Sequence, residues 1–239
     1  MKILQETGTY LESKVKSNRI IAFILLIIGL ITLIWGFGIV FIIISIYFFV
    51  KSSHYKSGYL GEKLVVKTLK HLPDSYFLIN DVIIPNCYGN IDHIVLGRNG
   101  IFVIETKNFE GEIRCKEDMW YQYKDTWKTS EEYEIKSPSK QVKGNALRLK
   151  QFIKSKNIFS KSLRFWINGI LVFTHDNVVL NLNNPTVPVL KANELSYYIK
   201  NKKSKIILSP IELKKIGQIL LKNMKGNSNI SSKTLFYQK

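Results

Sequence analysis

Residues 91–107 read IDHIVLGRNGIFVIETK, two apolar runs with Asp92 near one end and Glu105 and Lys107 near the other. They are joined by Asn99-Gly100, the strongest short hairpin signal a sequence carries. With those two residues as the turn, Arg98 pairs with Ile101, Asp92 lies opposite Lys107 and Ile94 opposite Glu105. A four-residue loop over 97–100 sets Asp92 directly opposite Glu105 instead. In both registers Asp92, Glu105 and Lys107 share one face of one hairpin, because side chains alternate with a period of two. A three-residue loop breaks that convergence, so the parity of the hairpin is the hinge of the reading. Two carboxylates and an ammonium at the end of an apolar hairpin suit metal-assisted phosphodiester hydrolysis. The carboxylates are hard oxygen ligands for Mg²⁺ or Mn²⁺, and the cation stands beside the attacking water. The ion would also remove the repulsion between the two acids. Taken singly, Glu-x-Lys reads more often as a surface ion pair, so the neighbouring residues decide.

Glu62 falls in the first turn of a helix expected over 59–71, where Leu60, Leu64, Val65 and Leu69 recur at helical spacing. It is a candidate third carboxylate near the metal; its structural alternative is a favourable charge at a helix N-terminus. A second helix starts at Ser137-Pro138, with Ser137 as N-cap and Pro138 at the first position, and runs to about Asn157. Gln141 lies near its start on a polar stripe with Asn145 and Arg148. Arg148, Lys150 and Lys154 on this helix are the expected phosphate contacts. His93 follows Asp92 but points to the other face of its strand, which favours a structural role. His175 and Asp176 lack a second His or Cys at ligand spacing and read as a turn. Cys87 and Cys115 lack the paired spacing of a zinc site, and no Gly-rich phosphate loop is present.

The elements that must position these residues form an α/β domain. Short β-type runs at 77–84, 91–96, 101–106, 112–115 and 120–124 precede the Pro138 helix; strands at 165–173 and 186–190 and helices at 194–200 and 210–223 follow it. That order predicts a central mixed sheet flanked by helices. The 239 residues carry 35 Lys plus Arg against 18 Asp plus Glu, a net charge of +17, and the part from residue 51 on holds 31 basic and 16 acidic side chains. A field of that sign attracts nucleic acid or an anionic membrane surface. Collagen-like, disulfide-scaffold and acidic disordered classes are excluded by the composition, and two cysteines point to a reducing compartment.

Residues 20–50 contain no charged side chain, and a bilayer core of ~30 Å needs only ~20 helical residues. This is a membrane segment, either one long tilted span or, as the flanks favour, two short arms, 20–34 and 39–50, turning at Trp35-Gly36-Phe37-Gly38. Lys14, Lys16 and Arg19 stand outside the first arm, and Lys51, His54 and Lys56 outside the second, so both ends are expected on the cytoplasmic side of the cell membrane. The expected division is a cytoplasmic segment 1–19, the membrane segment 20–50, a basic linker 51–57, a catalytic domain 58–200 and a C-terminal helical extension and tail 201–239.

The chain resembles the nuclease-related domain, NERD, a branch of the restriction-endonuclease-like PD-(D/E)XK superfamily. The resemblance rests on Gly61-Glu62, Asn90-Ile91-Asp92-His93, Glu105-Thr106-Lys107-Asn108, Gly111-Glu112-Ile113, Trp120, Pro138 with Gln141, and Val187-Pro188-Val189. It covers roughly residues 58–200. One departure is visible: Ile91 stands where the superfamily name has proline. The resemblance implies a restriction-endonuclease-like core in which Asp92 and Glu105 bind a divalent metal, Lys107 positions or activates the attacking water, Glu62 assists and Gln141 orients the site. The expected activity is hydrolysis of nucleic acid, DNA ahead of RNA. The alternative is a module that keeps the fold and the basic surface but only binds nucleic acid or docks a protein.

Overall fold

The chain begins with a strand, β1 (Lys2–Gln5), and then makes two antiparallel helices, α1 (Thr9–Ile31) and α2 (Gly38–Leu69), joined by a 3-10 turn over Thr32–Trp35. The structure is a computed structural model that describes residues 1–85, 89–125, 130–157 and 165–224. Cys87 and residues 225–239 of the expected tail lie outside them. Both helices are long and apolar enough to cross a membrane. Their apolar side chains face outward: Phe23, Ile31 and Phe49 are open, and Ile34, in the turn between the helices, is 90% exposed. A core helix would bury such a surface, so the exposure fits lipid contact. The arms are zipped by small and polar residues. Gly29 and Gly38 meet so closely that a Cβ on Gly38 would lie within 2.1 Å of the Gly29 carbonyl. Ser45 donates to the Ala22 carbonyl at 2.7 Å and Ser52 to that of Val15 at 3.1 Å. Such close approach and backbone-directed hydroxyls are how helices associate where lipid offers no hydrophobic gain.

Residues 51–57, read from the sequence as a linker, are helical and internal to α2. One uninterrupted helix therefore runs from the apolar arm into the domain, so the helix expected over 59–71 has its start at Gly38, and Glu62 is not in a first turn. The N-terminal segment likewise belongs to the domain. β1 pairs in parallel with β2 (Phe77–Val82), with a bulge between Ile3 and Gln5.

The main sheet has six strands in the order β1, β2, β3 (Ile91–Gly97), β4 (Gly100–Lys107), β8 (Ile167–Phe173), β10 (Val189–Lys191). β2, β3 and β4 are antiparallel neighbours, whereas β4, β8 and β10 are parallel, which makes the sheet mixed as expected. A second sheet of four strands, β5 (Gly111–Lys116), β6 (Met119–Asp125), β7 (Ser130–Ile135) and β9 (Val178–Asn183), stands beside it in the order β7, β6, β5, β9. Helix α3 (Pro138–Ser155) packs Val142, Ala146, Leu149 and Ile153 onto one face of the main sheet, against Ile94, Leu96, Ile101 and Val103. On the other face α2 packs Val65, Val66 and Leu69 against Val95, Phe102 and Ile104, together with α4 (Leu195–Asn201). Helix α5 (Pro210–Met224) buries Leu213, Ile216, Leu220 and Leu221 in the α3-side core, so residues 210–224 complete the domain rather than extend it.

The hairpin turn differs in register from an Asn99-Gly100 turn. Leu96 pairs with Ile101 and Gly97 with Gly100, leaving Arg98-Asn99 as the two turn residues. Asn99 is held by tertiary bonds: it accepts from the Tyr76 hydroxyl at 3.0 Å and donates to the carbonyls of Ile199 and Lys202. Those three bonds fix Asn99 at the tip, and Gly100, at φ 145°, opens β4. The loop stays even, and one further step of this register sets Asp92 opposite Glu105.

Candidate active site

Alternation along β3 and β4 carries the chemistry to one place. Asp92 follows the side of Ile94 and Leu96, and Glu105 and Lys107 follow that of Ile101 and Val103, so all three project on the α3 side at the sheet's end. Ser137 caps α3 by accepting from the Lys140 N–H, and Pro138 takes its first turn. Gln141 is thereby set over the end of β4. Helix α2 approaches from the opposite layer. It comes close because residue 61 is glycine: a Cβ there would lie 2.7 Å from Thr174 Oγ1 and 3.1 Å from Asn108 Cβ. Asn108 clamps the helix further by donating to both the carbonyl and the hydroxyl of Ser57 at 3.0 Å. Glu62, next to that contact, turns into the site.

The result is one cavity of about 370 Å³ lined by Glu62, Asp92, Glu105, Lys107 and Gln141 together. The Lys107 ammonium donates to Glu105 Oε1 at 2.7 Å and to Gln141 Oε1 at 3.2 Å. Asp92 Oδ2 accepts the Thr106 N–H at 2.8 Å. Glu62 Oε2 accepts the Thr7 hydroxyl at 3.1 Å.

Burial dominates the electrostatics. Glu105 is only 2% exposed, and desolvation raises its carboxyl pKa against the opposing pull of Lys107. Desolvation also holds the Asp92 carboxyl well above its ordinary value; the charges of Glu105 and Glu62 add to the shift, and the Thr106 N–H and Lys107 oppose it. Glu62 is pushed up to about 7, by burial first and then by the charge of Asp81. One ammonium thus stands among carboxyls that resist ionising together. A divalent cation would reverse that logic, and Mg²⁺ is commonly bound through one or two carboxylates with water completing its shell. The donor set fits such an ion. Among the described residues no three His, Cys, Asp or Glu side chains form a ligand group on their own; Asp92 and Glu105, neighbours across the β3–β4 register, are the hard-oxygen donors the hairpin brings to the cavity. Glu62 lines the same cavity, and each of the three carboxyls has one oxygen in a hydrogen bond: Glu62 with Thr7, Asp92 with Thr106 and Glu105 with Lys107.

Arg148, Lys150 and Lys154 do not line the cavity. They follow Gln141 by seven to thirteen residues, about 10–20 Å along the helix axis. The Lys150 ammonium lies 4.1 Å from the Trp166 ring centroid. His93 is buried on the α2 side, its Nδ1 2.7 Å from Asn80 Oδ1, and burial lowers its pKa to about 3. His175 closes a turn after β8, bonding the Asn177 N–H through Nδ1. Cys115 is free and buried, its thiol pushed up to about 11 by desolvation.

Sequence reasoning missed Asp81. It sits in β2 between the pairs Asn80–His93 and Val82–Ile91, a register that places it across from Asp92. It is buried, lines the cavity, has φ 52° and accepts the Gly8 N–H at 2.8 Å. Positive φ in a residue that is not glycine is uncommon and gathers at functional sites. The visible signal was a polar Asn80-Asp81 pair interrupting the apolar run FLINDVII. Tyr10 and Leu11, from the first turn of α1, also line the cavity and were not anticipated.

Residues 57–174 match the family model of the nuclease-related domain. The chain is 48% identical over 58 residues to an uncharacterized protein of Bacillus anthracis, a stretch that covers 23% of this chain and 27% of that protein. The chain therefore spans about a quarter of the length of that relative. No solved structure matches.

Proposed function

Residues 57–174 place this chain in the nuclease-related domain family, and on that footing we propose that it is a membrane-anchored nuclease hydrolysing phosphodiester bonds of nucleic acid, DNA ahead of RNA, at the cytoplasmic face. The observation that carries the reading is the convergence of Glu62, Asp92, Glu105, Lys107 and Gln141 on one cavity. Asp92 and Glu105 would hold Mg²⁺ or Mn²⁺. When bound, the ion supplies positive charge at the phosphate and eases deprotonation of water. Lys107, steadied by Glu105 and Gln141, places a proton donor and a fixed positive charge where negative charge develops. Gln141 has its Oε1 on Lys107, which sets the ammonium's direction. The basic surface supplies phosphate attraction, with Arg148, Lys150 and Lys154 as the leading contacts. The two outward-facing apolar helices support the anchor, and their basic flanks support the cytoplasmic side.

The test is a cleavage assay of the full chain in lipid nanodiscs, on single- and double-stranded DNA and RNA, with Mg²⁺, Mn²⁺ or EDTA. Cleavage should require the ion and vanish in Asp92→Ala and Glu105→Ala, and the ion should raise the melting temperature of the parent alone. A parent that binds nucleic acid yet shows neither cleavage nor stabilisation by metal is the binding module instead.

A further inference from the structure

The first helix reaches the cavity before it reaches the apolar segment. Four successive anchors lead the chain there. β1 adds to the edge of β2; Asn80 Nδ2 donates to the Gln5 carbonyl at 2.7 Å; the Thr7 hydroxyl donates to Glu62; the Gly8 N–H donates to Asp81 at 2.8 Å. Gly8 is at φ 79°, and a Cβ there would overlap the Tyr59 ring at 2.3 Å, so only glycine makes this corner without strain. Two residues on, Tyr10 stands in the first turn of α1. It is the only aromatic side chain lining the cavity among the described residues, and it is 51% exposed. The Lys14 ammonium lies 5.4 Å from its ring centroid.

An exposed tyrosine on a membrane-bound helix is ordinarily an interface anchor. Distance argues against that here. Tyr10 precedes the apolar run at Ile20 by ten residues, about 15 Å of helix, whereas the headgroup layer beyond the hydrocarbon is about 5–8 Å thick on each side. A half-exposed ring with a lysine beside it, on the wall of a cavity that holds the catalytic constellation, matches a different chemistry: aromatic faces that stack bases next to cations that meet phosphates.

We propose that Tyr10 is a substrate-contact residue supplied by the anchor helix, its ring stacking on an unpaired base of the nucleic acid in the cavity, with the segment from Lys2 to Gly8 holding it in place. This rests on the nucleic-acid reading above and names its substrate class: a strand whose bases are unpaired at the site. The anchor is then part of the substrate site as well as its tether.

The experiment measures binding rather than turnover, using the full chain in phosphatidylcholine nanodiscs with EDTA and a fluorescent oligothymidylate. Tyr10→Ala should weaken binding about tenfold, ~1.4 kcal/mol, with an unchanged slope of log affinity against log salt; Tyr10→Phe should keep the parent's affinity. On an oligomer of abasic phosphodiester spacer, and on duplex of equal length, Tyr10→Ala and the parent should agree within about twofold. Equal affinity of Tyr10→Ala and the parent for oligothymidylate overturns the proposal while leaving the nucleic-acid reading intact. So does an equal loss on the abasic oligomer. Weaker retention on anionic vesicles with unchanged oligonucleotide binding assigns Tyr10 to headgroups and overturns it too. A parent that binds no nucleic acid overturns the proposal and the reading together.

Discussion

The Lys107 ammonium ties Glu105, two residues before it on the same strand face, to Gln141 on α3, at 2.7 and 3.2 Å. A buried carboxylate that loses a charged partner costs about 1.5–3 kcal/mol. Lys107→Met, which keeps most of the stem, should therefore lower the melting temperature in chelator as well as abolish cleavage. Adding Glu105→Gln should return most of the lost stability and none of the activity. Calorimetry on the two single variants and the double reads this as non-additivity; additive losses would mean that the pair contributes nothing.

Glu62 makes stability depend on pH. Its folded pKa is about 7 against an ordinary 4.5, so the folded protein binds this proton more tightly than the unfolded chain. The penalty for its charge is present above about 7 and is relieved as pH falls towards 4.5. The shift corresponds to something on the order of 3 kcal/mol. In EDTA, Glu62→Gln should melt higher than the parent at pH 8, and the difference should shrink steadily to pH 4.5. Parallel melting curves across that window would refute the assignment.

Ser139 joins two layers. It accepts the Trp120 indole N–H at 2.9 Å and donates to Asp118, which also accepts from Lys143 and Thr186. Trp120 is fully buried and stacks on Phe173 at 5.9 Å. Ser139→Ala leaves the indole N–H without its acceptor, a cost of about 1–3 kcal/mol. It also loosens the turn that carries Gln141. Chemical denaturation should show the loss, and Ser139→Thr, which keeps a hydroxyl, should recover part of it.

Both ends of the apolar hairpin join one domain, since β1 pairs with β2 and α2 runs into the core. In whole cells, Ser13→Cys and Ser53→Cys, each in a background without Cys87 and Cys115, should both resist a membrane-impermeant maleimide and both react once the cells are opened. Labelling of either one from outside would break the shared-side topology.

The convergence of Asp92, Glu105 and Lys107 was legible because a strand's side-chain period is two: any even hairpin loop delivers it. Which even loop was not legible. Asn99-Gly100 is a local preference, and the bonds from Asn99 to Tyr76, Ile199 and Lys202 come from far along the chain. β1 left no trace either, since four residues gain their partner only once β2 offers an open edge more than 70 positions later. β7, with three glutamates in SEEYEI, lacks the apolar alternation that identifies a strand. Asp81 and Thr7 escaped for a related reason: each acquires its role from a contact made by the N-terminal segment, Asp81 in β2 with Gly8 and Thr7 with Glu62 on α2.

Because α2 continues without a break from the apolar arm to Glu62, the site has a fixed standoff. Twelve residues separate Val50 from Glu62, about 18 Å of helix. With the arms in a bilayer, a typical tilt of about 20° changes that height by only about 1 Å. α2 puts no flexible tether between the apolar arm and Glu62, so under the proposed function the search for substrate would be confined to a thin layer over the lipid surface. On that reading only a strand that enters this layer would meet the cavity, and how far an unpaired end strays from the surface would set the rate of encounter.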